Sequence, residues 1–497
     1  MLKVTEIKRF IDDDITSEKK QAAKVGVRYY EAKHDIMNSR LFYFNTDGEL
    51  VEDKTRANIK ISHPFFMELV EQLPAYMLSF EENPIRAKEK AEGLQDHLDM
   101  YFDDEFWAEI SELLKGAYMK GFEYLYAYKN DDDRLVFQCA DSIGIVEVRE
   151  KDADDGCKHI IFWYIDRIDK GHKEIKRIQV WSESEISYFV QIDNGDIIVD
   201  ESEPINPRPH VIYTDTKTGK RLGHQFGYIP FWRLDNNKKQ FSGLKPIKGI
   251  IDDYDLHACS LSNNLKDFDT PIHVVSGYHD DDLSELQQNL KTKKIVGVDE
   301  DGGVEIKTVD VPYQARKEKL DIDERNIYKF GMGLNTYGLK DSNATTNLAI
   351  RAAYSLLKMK ADNLQKHLNR LLKDIIKPVL AEINLANNTD YQMTDIKFDF
   401  KRNPITNETE NISNDKIKAD TQQVQVNTIL NVAASVGDEQ TLKALCEVMD
   451  WDFEEIKNQV EKMQANNDIN AAKATLNNVA VTEPTEPTEP PQEPIEE

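Results

Sequence analysis

The sequence predicts an α+β fold, with helices and strands in separate stretches of chain. Three observations predict it. Residues up to about 120 carry apolar side chains at three-to-four spacing, residues from Phe122 to about 234 carry them at two-residue spacing, and Leu348 to Leu385 returns to helical spacing over a long span.

In the first stretch, helices are expected over Ser17–Arg40, His63–Phe80, Arg86–Tyr101 and Asp104–Lys120. In the last of these Phe106, Ile110, Leu113, Leu114 and Ala117 make one stripe that should pack inward. The second stretch alternates, as in FEYLYAYKN, KHIIFWYID and EISYFVQID, with DDD, DADDG and DNGD as turns. An antiparallel meander follows, and Asp193-Asn194-Gly195-Asp196 is a polar link suited to a hairpin.

Ser242 reads as an N-cap with Pro246 in the first turn of a helix running to about Phe268 on the stripe Leu244, Ile247, Ile251, Tyr254, Ala258, Leu261 and Leu265. Pro271 ends it. A compact β-rich insert comes next (PIHVVSGY, KIVGV, VEIKTVDV), then a charged helix from about Pro312 to Phe330. The Gly/Asn/Thr-rich segment Gly331 to Asn347 breaks regular structure before the long helix, whose stripe is Ala353, Leu357, Ala361, Leu364, Leu368, Leu371, Ile375 and Val379, with a kink expected at Pro378. That helix also carries Arg351, Lys358, Lys360, Lys366, Arg370, Lys373 and Lys377, a local reversal of charge in an acidic chain. They could face DNA, pair with a neighbouring subunit's acids, or simply be solvated. A strand over Tyr391–Asn403 leads to short helices near 415–434, 439–448 and 453–465. The closing TEPTEPTEPPQEPIEE has one apolar core former, Ile495, and its composition predicts disorder.

Composition narrows the function. With 63 Lys+Arg against 90 Asp+Glu the formal charge is −27, the opposite of what a protein gripping phosphates by counterion release should carry. Such a surface suits a protein that lies near DNA without adhering to it. The cysteines Cys139, Cys157, Cys259 and Cys446 form no CxxC pair, which argues against zinc or a disulfide framework and for synthesis in a reducing cytoplasm. Neither a signal peptide nor a run of about 18 apolar residues is read, so membrane insertion is not expected.

The motifs of common chemistries are not found. No GxxxxGKS or GxxxxGKT occurs, and Gly219-Lys220-Arg221 lacks both the upstream glycine and the following hydroxyl, so the chain is not an ATP-driven motor. Gly331 and Gly333 begin a GxG of wrong spacing for a dinucleotide site. The triplets Asp12–Asp14, Asp131–Asp133 and Asp280–Asp282 read better as solvated turns than as metal sites, and Asp152 to Gly156 departs from a calcium loop in the place of its glycine. No catalytic residue, metal or cofactor is expected.

Four segments resemble, in order, the portal proteins of long-tailed phages that infect Gram-positive bacteria. They are NIKISHPFFMELVEQLPAYMLS (58–79), FGYIPFWRLDNNKKQFSGLKPIKGIIDDYDLHACSLSNNLKDF (226–268), SNATTNLAIRAAYSLLKMKADNLQKHL (342–368) and IKFDFKRNPITNETENI (396–412). In the last, Pro404 directly follows Asn403, a small departure from the family's ending.

The resemblance implies a portal fold: a mixed α/β wing (1–240), a helical stem (241–270 and 312–330), a small β-rich clip (271–311), a tunnel loop (331–347), a long helix with a return strand (348–405), an α-helical crown (406–470) and a disordered acidic tail (471–497). It implies a homo-oligomeric, dodecameric ring at one capsid vertex through which double-stranded DNA passes without sequence specificity. Implied partners are the terminase large subunit, the major capsid and scaffold proteins, and a head-completion connector. Asn335, Thr336, Tyr337 and Lys340 become candidate channel residues, offering contacts that slide rather than lock, and Lys291, Lys293 and Lys294 candidate terminase contacts. The alternative is a metal-dependent nuclease or other terminase-associated phage protein built on an aspartate cluster.

Overall fold

The computed structural model describes residues 2–268 with short internal gaps, 272–276, 303–307, 312–335, 347–402, and scattered residues between 416 and 462. It divides into two compact units, Met1–Ile405 and Thr406–Glu497.

The first unit opens on helix α1 (Val4–Ile15), which the apolar pattern did not announce. Its three C-terminal aspartates oppose the helix dipole. Ile7 and Ile11 nevertheless bury against a sheet through Val146, Val148, Ile161 and Ile178, and Asp14 meets the buried Lys20 at 3.1 Å. Helix α2 (Glu18–Tyr30) is capped by Ser17, whose hydroxyl accepts from the Lys20 amide, and stops ten residues short of the expected Arg40. Ala32 takes a left-handed φ of 56°, and the chain turns so that His34 enters the interior.

A small hairpin, β1 (Phe42–Phe44) and β2 (Leu50–Glu52), precedes α3 (Phe65–Met77). The helix expected over Arg86–Tyr101 is a strand, β3 (Ile85–Ala87), followed by a shorter helix, α4 (Leu94–Tyr101). The reason is long-range: β3 pairs with β17 (Ile396–Phe398) near the other end of the unit. Helix α5 (Asp104–Lys120) has the expected bounds, with Asp103 as its cap and all five stripe residues buried.

The alternating region forms two principal sheets instead of one meander. Strands β4 (Phe122–Lys129) and β5 (Leu135–Ala140) join β14 (Phe231–Asp235) in the order β14-β4-β5. Strands β6 (Ile145–Val148), β7 (His159–Ile168), β8 (Glu174–Trp181), β9 (Glu185–Ile192) and β10 (Ile198–Val199) pair sequentially, and β11 (Arg208–Pro209) also pairs β9. The Asp193–Asp196 link does join β9 to β10. Strands β12 (Val211–Thr214) and β13 (Arg221–His224) form a separate hairpin.

Helix α6 (Lys248–Phe268) starts later than Ser242 and Pro246 suggest. The Ser242 hydroxyl instead donates to the Met119 carbonyl at 2.6 Å, fastening the approach to α6 onto the end of α5. In the insert, β15 (Ile272–Ser276) pairs with β16 (Gly303–Lys307), while KIVGV lies outside the described residues. Helix α7 (Tyr313–Phe330) runs back, and α8 (Asn347–Asn387) continues as helix through Pro378. In α8 Leu357, Ala361, Leu364, Leu368, Leu371, Ile375 and Val379 are buried, joining α3, α5 and the start of α6 in the main core. In the second unit, α9 (Asp438–Met449) covers the helix expected near 439–448 with one residue more at each end.

Candidate functional site

Two junctions tie the α6–α7 pair and the segment after Phe330 to the main core. The first is the base of the Gly331–Asn347 segment. The Gly331 amide closes α7 by donating to Ile327 O at 2.8 Å, and the Gly333 amide donates to Tyr328 O at 2.9 Å. Glycine is required at both positions by close approach to α3. A Cβ on Gly331 would lie 2.6 Å from Leu69 Cδ1, and one on Gly333 2.0 Å from Leu69 Cδ2. Leu69 is fully buried and has little room to move.

Next to these glycines, Gln72 holds Leu334 as a strand would. Its Oε1 accepts from Leu334 N at 2.8 Å and its Nε2 donates to Leu334 O at 2.9 Å. Two donors converge on the Gly331 carbonyl: the Tyr118 hydroxyl at 3.1 Å and Lys360 Nζ at 3.2 Å. Tyr118 passes over Gly243, where a Cβ would lie 2.2 Å from its ring. Lys360 therefore points inward, which corrects all three readings offered for it, that it faces DNA, a neighbouring subunit or solvent. Burial without a carboxylate beside it pushes its ammonium down to about 7. On the same helix Lys358 pairs with Asp362 at 3.0 Å and Lys377 with Asp374 at 2.8 Å, so two of its basic residues are matched by acids of the helix itself.

The second junction is at α6. Asp255 is completely buried and its two oxygens are divided between two histidines, His34 Nδ1 at 2.6 Å and His63 Nδ1 at 2.7 Å, with the His63 amide donating to it at 3.0 Å. The second nitrogen of His34 faces Tyr29 O at 3.2 Å, so both ring nitrogens meet acceptors. Burial would raise the Asp255 carboxyl, but the bonds from His34 and His63 outweigh it and hold the group below the ordinary range. One turn on, Cys259 Sγ accepts from Ile61 N at 3.2 Å, and Asn263 Oδ1 accepts from Ile59 N at 2.6 Å. The segment 59–63 is thereby laced along α6. Between the two helices, Lys319 of α7 pairs with Asp253 of α6 and with Asp323.

Of the candidate channel residues, Asn335 is described, and its amide donates to Glu324 Oε1 of α7 at 3.2 Å. Thr336, Tyr337 and Lys340 lie outside the described residues, as do Lys291, Lys293 and Lys294. Among the described residues no group of three or more His, Cys, Asp or Glu is placed to hold a metal ion, and no helix is long and apolar enough to cross a membrane. Gln72, Tyr118, Asp255, His34 and His63 were not singled out from sequence as site residues, and Lys360 was named only as one basic residue of the long helix. A signal for two of them was present: Lys360 sits three after Leu357 and four before Leu364, and Asp255 four after Ile251, so each interrupts an apolar stripe with a charge.

The comparisons with known proteins agree with this architecture. The family described as "Phage portal protein, SPP1 Gp6-like" matches residues 9–468. A portal protein of Bacillus phage SPP1 is 25% identical over 354 residues, covering 70% of this chain and 67% of the relative. A portal protein of Clostridium phage phiCD119 is 25% identical over 414 residues, covering 77% and 82%. With a match spanning nearly the whole chain, and both relatives coming from phages of Gram-positive hosts, the chain belongs to the phage portal protein family and is the portal, or head–tail connector, of a tailed phage.

Proposed function

We propose that this portal subunit works as one member of a closed, dodecameric ring in which α6 and α7 form the stem, residues 271–311 the clip, residues 331–347 the tunnel loop and residues 406–470 the crown. The observation that carries this reading is the α6–α7 pair. Leu256, Leu265, Ile322 and Phe330 are 53%, 56%, 46% and 48% exposed, while the polar groups between the helices are already paired with one another. A single chain leaves these apolar side chains in water, and identical neighbours round an axis would cover them.

In this reading double-stranded DNA passes along the axis without specific contacts, and the net charge of −27 keeps it from sticking to the walls. The clip receives the terminase large subunit during packaging and the connector afterwards, through Lys291, Lys293 and Lys294. Capsid and scaffold proteins surround the wing at the portal vertex. Negative-stain images of the purified protein test the assembly and should show closed rings with a central hole. Sedimentation as monomer alone at micromolar concentration and ordinary salt would refute it.

A further inference from the structure

Identical subunits in a closed ring meet head to tail, so each must carry two different surfaces that fit one another. Two features outside the junctions described above have this relation. The first is the β1–β2 hairpin. Among the described residues its strands pair only with each other, and Phe42, Tyr43, Phe44 and Leu50 are 51%, 48%, 73% and 60% exposed. Asn45 shapes its tip, accepting from the amides of Asp47 at 3.0 Å and Glu49 at 2.8 Å, and Gly48 takes a φ of 78°. A two-stranded hairpin with aromatic side chains on water is marginal by itself, and exposed aromatics are enriched where proteins meet. It is acidic, and Asp47, Glu49 and Glu52 have no cationic partner among the described residues.

The second feature is a groove of about 490 Å³ between α2 and the 239–248 segment. Ala22, Val25, Phe241 and Leu244 give it an apolar wall, and Phe241 is 40% exposed. Lys245 Nζ sits 3.3 Å and Lys239 Nζ 5.9 Å from the centroid of the Phe241 ring. Neither ammonium has a carboxylate partner among the described residues. Aromatic groups with surplus acid thus stand on one element, and an apolar groove with surplus lysine on another.

We propose that the hairpin Phe42–Glu52 of one subunit seats in the α2/239–248 groove of a second copy of this chain, with Phe42 or Phe44 against Phe241 and the hairpin acids against Lys239 and Lys245. The inference rests on the ring reading above and adds to it the specific contact that closes the ring.

Charge swapping tests it on the full chain. Lys239→Glu with Lys245→Glu should abolish the ring species in sedimentation while leaving the thermal transition within a few degrees of wild type. Adding Glu49→Lys and Glu52→Lys to the same chain should restore rings. In a second arm, Phe44→Cys and Lys239→Cys subunits are co-assembled under mild oxidation. They should give covalent dimers that neither variant gives alone. Wild-type rings together with normal assembly of the groove variant, or rings without a mixed crosslink, would overturn this contact while leaving the ring intact. Failure of the wild type itself to form rings would overturn the ring reading and the contact with it.

Discussion

Lys360 Nζ lies 4.3 Å from the centroid of the Tyr118 ring, and both side chains donate to the single carbonyl of Gly331. A helix of the main core thereby holds the first residue after α7, so the start of the 331–347 segment cannot move without disturbing these two buried side chains. A cation over an aromatic face contributes more as it is desolvated, but desolvation also penalises the charge itself. In this site burial wins, which is why the Lys360 ammonium is pushed down to about 7.

That relation predicts a pH signature. Between about 7 and the ordinary lysine value of 10.5, the unfolded chain holds a proton that folded Lys360 has released, so this residue makes the fold more stable as pH rises through that window. The slope is at most about 1.4 kcal/mol per pH unit. Lys360→Met removes it. The stability advantage of the Met variant over wild type should therefore shrink steadily from pH 7 to 10, as read by denaturant unfolding. A difference independent of pH would show that the lysine is not held as described.

Gly333→Ala should destabilise the protein by about 1–3 kcal/mol, because the new methyl must displace the buried Leu69. The same substitution in a Leu69→Ala background should cost clearly less, since the space it needs has been opened. Equal costs in the two backgrounds would place the strain elsewhere. Thermal unfolding of the four chains decides it.

Asp255→Asn replaces a carboxylate that accepts from both histidines with an amide that can accept at one atom only, and a buried donor left without its acceptor typically costs about 1–3 kcal/mol. The effect should be local to the junction: amides of residues 59–63 should exchange hydrogen faster than in wild type, while those of β7 and β8 keep their protection. Unchanged exchange at 59–63 would mean that Cys259 and Asn263 suffice to hold that segment.

For the loop itself, Tyr337→Ala with Lys340→Ala should leave the melting temperature and ring size near wild type, since the anchors Gln72, Tyr118 and Lys360 act on Gly331 and Leu334 and are kept. DNA packaging rate or retention in the head should change. Lost rings with normal passage would mark the segment as a structural linker. Reversing the charge of Lys291, Lys293 and Lys294 should likewise weaken capture of the terminase in a pull-down while rings still form.

How much of this was legible in sequence depends on the range of the interaction. The α5 stripe and the α8 stripe are local patterns, set by which side chains fall on one face every three or four residues, and both are buried where the spacing puts them, apart from the half-buried Ala353. The four family segments and the absence of a phosphate-binding loop are also properties of the linear chain, and the family match confirms the first. By contrast, Ile85–Ala87 is a strand because Ile396–Phe398, more than 300 residues on, supplies its hydrogen-bond partners. Likewise Phe231–Asp235 joins β4 across the whole second sheet, which local alternation cannot distinguish from a simple meander. Lys360 and Asp255 are polar residues at apolar positions, and their spacing marks them as out of place. Only the fold could say what meets them: Gly331 and Tyr118 for the lysine, His34 and His63 for the aspartate, each from a distant part of the chain. A buried charge is tolerable only where such partners arrive, and their arrival is decided by tertiary packing.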